Sequence, residues 1–279
     1  MKKRVGIKKG NKVTYIILCI WAIIQIFPIY WMFTFSLKDN TEIFGSNIIG
    51  LPKIWRWSNY ADAMRVGNIS RYFFNSIIVT GGTIFLTTLC ALFATYALTR
   101  MVWKGRKIVN NLLMLGLTVP IHAAILPVFL ILKKLHMINS YQALIIPYAA
   151  FALAMSILIC ESFIESIPKE LEEAACIDGC GVFGIFFRII VPLMKPCLST
   201  VAIFVFLQSW NELMFAVTFI SNSAFRTLPV GIQTLCGSYT TAWGPIGAAL
   251  VIATFPILIM YCFMSSKIQE SLIVGAVKG

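Results

Sequence analysis

The chain has 279 residues, of which 59% are hydrophobic and only 12% charged, with a formal net charge of +12. Soluble domains carry about a quarter charged residues, and one soluble core of this size cannot bury so large an apolar fraction, so lipid must be the solvent for the remainder. The excess positive charge, which in a soluble protein would point to nucleic acid, flanks apolar runs and reads as a set of topology signals.

Residues 1–13 form a basic N-terminus with Lys2, Lys3, Arg4, Lys8, Lys9 and Lys12 and no acid. The apolar stretch that follows, Val13 to Ser36, is too long for the hydrophobic region of a secretory signal and lacks a small-residue cleavage site. It is read as an uncleaved first span with the N-terminus cytoplasmic. Apolar runs near the roughly 20 residues needed to cross a bilayer then place spans at about 14–37, 71–99, 108–135, 140–163, 197–220 and 242–264. The expected fold is an all-α integral membrane protein with six transmembrane helices over 14–264, N-in and C-in, and a cytoplasmic tail at 265–279. The short loop carrying Arg100, Lys104, Arg106 and Lys107 supports that orientation, as do Lys169, Arg188, Lys195, Lys267 and Lys278.

The exported segment Lys38 to Ser70 includes Trp55, Trp57 and Tyr60, which suit an interfacial belt, and reads as a short surface helix. Pro28, Pro120, Pro127, Pro147 and Pro256 lie in spans, where neighbouring helices and waters tolerate a kink. The eight cysteines contain no CxxC pair, and His122 and His136 have no ligand partners nearby, so neither a metal site nor a disulfide is expected. No nucleophile–base constellation suggests catalysis.

The segment around 164–196 departs from this pattern. Six of the eleven acidic residues fall in or beside it, at Glu161, Glu165, Glu170, Glu172, Glu173 and Asp178. Pro168 suits a first helical turn, the glutamates after it suit the positive end of the helix dipole, and Gly179 is a stop. Apolar residues at 182, 183, 186, 189 and 190 follow with helical spacing, and Pro192 is expected to end this second helix. This is a cytoplasmic helix–turn–helix between spans 4 and 5 whose apolar face has two possible covers, the protein's own helix ends or a cytoplasmic partner.

Within it, Glu173-Ala174-Ala175, three residues on Gly179, and nine residues later Ile189-Ile190-Val191-Pro192 resemble the EAA motif of binding-protein-dependent ABC importer permeases, with Val191 in place of the usual leucine. Trp210-Asn211-Glu212 resembles an element of carbohydrate-type permeases. Thr227-Leu228-Pro229-Val230-Gly231 and the terminal Gly275-Ala276-Val277-Lys278-Gly279 are similar to the MalG-type subunit of maltose-like sugar importers. The resemblance implies a transport subunit, not an enzyme, that translocates a sugar or oligosaccharide delivered by an extracytoplasmic solute-binding protein. It also implies a second permease subunit, two ATPase subunits that hold ATP and Mg, and a bacterial-type cytoplasmic membrane. No GxxxxGK[ST] phosphate loop occurs in this chain, which binds no cofactor of its own on this reading. Glu173, Ala174, Ala175, Asp178, Gly179, Ile189 and Pro192 are then the coupling residues.

Glu212 is a carboxylate inside an apolar span, a candidate functional site by default. With Gln208 and Asn211 it either contacts sugar along the pathway or binds helix ends or a second permease. The tail 275–279 either frays or, by the resemblance, reaches the ATPase. The competing functions are an ABC permease for a non-sugar solute and an ion-driven secondary transporter, for which an internal repeat would be needed.

Overall fold

The computed structural model describes residues 12–236 and 241–276, with 263–276 as backbone. Among the described residues all regular structure is helical. The chain divides into two compact units, Met1–Gly67 with Leu235–Ile252, and Asn68–Thr234 with Ala253–Gly279.

The first unit holds α1 (Lys12–Ser36), α2 (Asn40–Ile43), α3 (Ser58–Arg65) and the first turns of α14 (Trp243–Ala276). Its polar loop is closed by side chains. Asp39 accepts the Glu42 N–H at 2.9 Å to cap α2 and pairs with Arg56 at 2.7 Å. Asn59 Nδ2 donates to the carbonyls of Ser36 (2.8 Å) and Lys38 (2.9 Å). Lys38, an exported cation by sequence, is fully buried, and its Nζ donates to the carbonyls of Asn47 (2.7 Å) and Ile48 (3.2 Å). Burial pushes its pKa down, against a smaller upward pull from Glu42. A lysine can only be desolvated this way if its protons find acceptors. The apolar window of α1 is not buried anywhere within the chain.

The second unit is built on α4 (Ile69–Thr99) and α7 (Gln142–Ile164), the most extensively packed pair, with α11 (Lys195–Trp210) against both. At one end Val79, Leu132, Leu144, Tyr148, Phe215 and Phe219 form a core; at the other Tyr96, Ile157, Ile164, Phe186, Ile190 and Met194 form a second. Within the second core Cys160 Sγ and Cys197 Sγ lie 3.6 Å apart, buried where α7 meets α11.

Among the described residues four helices are long and apolar enough to cross a membrane: Lys12–Ser36, Ile69–Thr99, Gln142–Ile164 and Trp243–Cys262. Two bent pairs, Arg106–Thr118 with Ile121–Lys134 (99°) and Val182–Leu193 with Lys195–Trp210 (71°), make six if each counts as one span. The stretch 108–135 is thus two helices, α5 (Arg106–Leu115, prolonged by a 3₁₀ turn) and α6 (Ile125–Lys134). The cause is Pro120, which forces Val119 out of the helical region to φ −77°, ψ 118°. The stretch 197–220 is also broken, α11 stopping at Trp210 and α12 (Met214–Phe219) beginning anew. Pro28, Pro147 and Pro256, by contrast, sit inside continuous helices.

The loop after α12 is pinned to the start of α4 and α7. Asn139, in the left-handed region at φ 62°, accepts the N–H groups of Ser221 and Asn222, both at 2.8 Å, through Oδ1. Asn75 donates to the carbonyls of Ala224 (2.9 Å) and Arg226 (2.8 Å) and accepts from Tyr141 (2.8 Å). The Ser76 hydroxyl accepts the Leu228 N–H at 2.8 Å, at the first residue of α13 (Leu228–Thr234). Gly231 stands where any side chain would collide with the Tyr72 ring.

Candidate functional site: the acidic loop and the buried carboxylate

Helix α8 (Glu170–Ile177) opens the acidic loop. Its first turn carries Glu170, Glu172 and Glu173, and the Lys169 carbonyl accepts the N–H groups of Glu172 and Glu173 at 2.9 and 3.0 Å. Carboxylates here lie against the positive end of the helix dipole. The helix closes in a Schellman motif: Cys180 N–H donates to Ala175 O (2.9 Å) and Gly179 N–H to Cys176 O (3.0 Å), with Gly179 at φ +82°. A Cβ on Gly179 would meet no atom within 4 Å. The demand for glycine within this chain is therefore torsional and not steric.

Beyond the turn the chain runs as α9 (Val182–Ile185), a π-helical turn (Phe186–Ile190) and α10 (Val191–Leu193). Pro192 does not end this helix, contrary to expectation. It occupies the first turn of α10, just past the wider π turn, and the axis bends only before Lys195. A proline is tolerated where its missing N–H has no helical acceptor to satisfy.

Of the sequence-identified residues, Ala175 is buried and Ile189 half-buried, while Glu173, Ala174, Asp178, Gly179 and Pro192 are exposed. The exposed side also bears Ile177 at 87% and Phe183 at 75% of full accessibility, with Val182 and Phe187 more than half exposed. Ile185, Phe186 and Ile190 point the other way, into the core. Acidic and large apolar groups thus share one outward face at the tip of the unit.

The loop's attachment was missed by sequence reasoning. Arg100, read only as a topology signal, reaches from the end of α4 to the carbonyls of Ile164 (2.9 Å) and Ile167 (2.6 Å) through Nη2. Its Nε lies 2.8 Å from Glu172 Oε1, an ion pair held by proximity without an aligned hydrogen bond. Tyr96 Oη lies 3.4 Å from Glu172 Oε2. No local signal marks this contact, since Arg100 precedes its partners by 64 residues or more.

Glu212 sits in the break between α11 and α12. It accepts the Tyr148 hydroxyl at 2.6 Å and the N–H groups of Phe215 (3.0 and 3.1 Å) and Ala216 (3.3 Å). The carboxylate thus meets the N–H groups at the start of α12. Its neighbours do not join it: Asn211 is exposed and donates to Leu207 O at 2.8 Å, and the buried Gln208 Oε1 has no partner. Gly275 and Ala276 end α14; Val277, Lys278 and Gly279 lie outside the described residues, as do the cations from Lys2 to Lys9.

The fold is that of an ABC importer permease. A chain in the crystal structure of a bacterial ABC transporter involved in the import of the acidic polysaccharide alginate superposes with a TM-score of 0.81 at 21% identity, over 91% of this chain and 94% of that one. The family model for binding-protein-dependent transport system inner membrane components matches residues 87–270, and the chain belongs to that family. The sulfoquinovosyl glycerol transport system permease protein SmoH of Agrobacterium fabrum is 36% identical over 97% of this chain and 95% of its own length. The trehalose/maltose transport system permease protein MalG of Thermococcus litoralis is 35% identical over 92% of this chain and 93% of its own. The chain is accordingly a multi-pass protein of the cytoplasmic membrane and a transport subunit, not an enzyme; in such systems the ATPase is a separate subunit.

Proposed function

We propose that this chain forms half of the pore of an importer for a sugar or oligosaccharide, delivered by an extracytoplasmic binding protein and driven by a separate ATPase through the loop at 164–196. The cargo class rests on full-length relatives named for sulfoquinovosyl glycerol and for trehalose and maltose. The drive rests on one observation, the outward face of Glu173, Ile177, Asp178 and Phe183, which no other described residue covers: Phe183 is 75% and Ile177 87% exposed. So much apolar surface beside carboxylates at a rigid tip is what a protein partner in water would bury.

On this reading six spans cross the membrane N-in and C-in, each bent pair counting as one, and the coupling helix–turn–helix lies between the fourth and fifth. A second permease completes the pore, and two ATPase subunits bind ATP and Mg. ATP-driven closure of those subunits pushes the loop and rocks the helices between outward- and inward-open states. Gln208, near the broken helix, is the residue left for cargo, and the tail 275–279 extends toward the ATPase.

The test is uptake by proteoliposomes containing the whole complex and its binding protein. Uptake of an oligosaccharide that needs ATP and the binding protein is expected; uptake driven by an ion gradient alone would overturn the proposal. In the same complex Phe183→Asp is expected to release the ATPase on purification. Gly179→Ala costs about 1–2 kcal/mol of torsional strain while its Cβ meets no described atom of this chain within 4 Å, so a further loss of coupling with Gly179→Trp at unchanged thermal midpoint measures the partner surface outside.

A further inference from the structure

A loop that receives force is useful only if it does not yield where it joins the helices. The turn from Glu165 to Lys169 is the obvious weak point, since α7 ends there in tighter turns, Ser166 N–H to Phe163 O and Ile167 N–H to Ile164 O, both at 3.0 Å, before α8 begins. Three residues of one α4 face, Phe93, Tyr96 and Arg100, bridge it, and they follow one another at i, i+3 and i+7 as one side of a helix requires.

Arg100 ends α4, and its side chain is only 8% exposed. It supplies donors to the Ile164 carbonyl at the C-terminal end of α7, which also accepts the Ile167 N–H, and to the Ile167 carbonyl in the turn. With the same guanidinium it holds Glu172 of α8, itself 14% exposed, at 2.8 Å. One planar group thus joins α4, the end of α7, the turn and α8, a task suited to the five donors of arginine and not to the single ammonium of lysine. Tyr96 adds a second contact to Glu172, and its ring also packs on Phe186 with centroids 5.1 Å apart. Phe93 stacks on the same Phe186 ring, with centroids 5.0 Å apart. Both arms of the loop, α8 before Gly179 and the π turn after it, are therefore fastened to the same helix.

We infer that Phe93, Tyr96 and Arg100 with Glu172 make the loop a rigid extension of α4, so that displacement of its exposed tip moves α4 and α7 directly. This rests on the proposal that the tip receives an ATPase, and Arg100 and Glu172 act as positioning residues that touch neither cargo nor nucleotide. A sub-ångström yielding at the turn would dissipate the motion, whereas a packed and paired joint passes it on as a unit.

The complete complex in proteoliposomes tests this with Arg100→Gln, Arg100→Lys, Glu172→Gln and both glutamines together. Cargo moved per ATP hydrolysed is expected to fall about tenfold, within the usual span of coupling effects, for either glutamine variant, while the ATPase still co-purifies. Lysine at 100 keeps the charge and is expected to recover part of the loss. The double variant is expected to be no worse than Arg100→Gln alone, because both remove one joint. Unchanged transport per ATP in Arg100→Gln and Glu172→Gln would overturn the inference.

A distance measurement serves if those variants do not accumulate. With spin labels at exposed Met101→Cys and at native Cys176, the other cysteines replaced, the separation is expected to be equal without nucleotide and with ATP trapped. A change approaching one helical turn, about 5 Å, would mean that the loop hinges and is not rigid. The Phe183→Asp purification reports on docking independently: an ATPase that stays bound there sinks the docking proposal, and unaltered coupling in the Arg100 and Glu172 variants sinks the rigid joint alone.

Discussion

Glu212 has four hydrogen-bond contacts to three donors, and this determines what its removal does. Glu212→Ala leaves the buried Tyr148 hydroxyl and two backbone N–H groups without acceptors, at about 1–3 kcal/mol for each buried orphan. Tyr148→Phe removes only the donor, and the carboxylate keeps its backbone contacts, so a loss of about 1.5–3 kcal/mol is the ceiling. In detergent-solubilised complex the thermal midpoint is expected to fall more for Glu212→Ala than for Tyr148→Phe, and the double variant to fall no further than Glu212→Ala. An unchanged midpoint with abolished cargo uptake would instead place Glu212 on the pathway. The oddity of a carboxylate in an apolar span was legible in the sequence. Its partner was not, because Tyr148 lies 64 residues away on another helix. Arg100 was hidden for the same reason: a cation beside a span end looks identical whether it faces water or three carbonyl and carboxylate oxygens.

At the scale of elements, composition told where helices would be and much less about where they would stop. Apolar runs mark lipid or core, and both kinds of burial are blind to a break inside the run. Pro120 breaks its helix and Pro147 does not: Val119 before Pro120 leaves the helical region, whereas Ile146 before Pro147 stays within α7. The Schellman end at Gly179 was legible, since one residue type dominates that conformation. The closed loop of the first unit was not, although its chemistry has a consequence for pH. Asp39 accepts from the Thr41 hydroxyl, the Glu42 N–H and Arg56, in that order of effect, and its pKa is held below the usual 3.8. A carboxylate shifted down in the folded protein stabilises above its unfolded value and loses that contribution as pH falls through the folded one. Protection of the amides over 39–57, relative to their intrinsic exchange at each pH, is therefore expected to be flat from neutral pH to about 4 and to fall only below, with Asp39→Asn removing that dependence. A loss of protection between pH 7 and 5 would assign the loop's closure to some other group.

Across the whole chain the two ends of the second unit differ in chemistry, and this permits a direct test of orientation. The α8 end carries Glu165, Glu170, Glu173 and Asp178 on exposed positions; the end framed by Asn75, Asn139 and Tyr141 carries Arg71, Lys133 and Lys134. Net charge of these residues alone would put the second set inside, but orientation follows Lys and Arg, and Lys169, Arg188 and Lys195 stand at the α8 end with the Arg100–Lys107 loop. Counting cations therefore puts the α8 end inside, in line with the basic N-terminus. Cys176, exposed on α8, is native; Ser223, exposed in the pinned loop, is a site for a second cysteine. In a variant keeping Cys176 alone, a membrane-impermeant maleimide is expected to label inside-out vesicles and not right-side-out ones. Ser223→Cys, with the other cysteines replaced, is expected to give the reverse. Labelling of both from one side would mean that an odd number of crossings separates neither pair of loops as assigned. The bent α5–α6 pair or the break before Lys195 would then have to be re-entrant, with the ATPase-facing role of the acidic loop falling along with it.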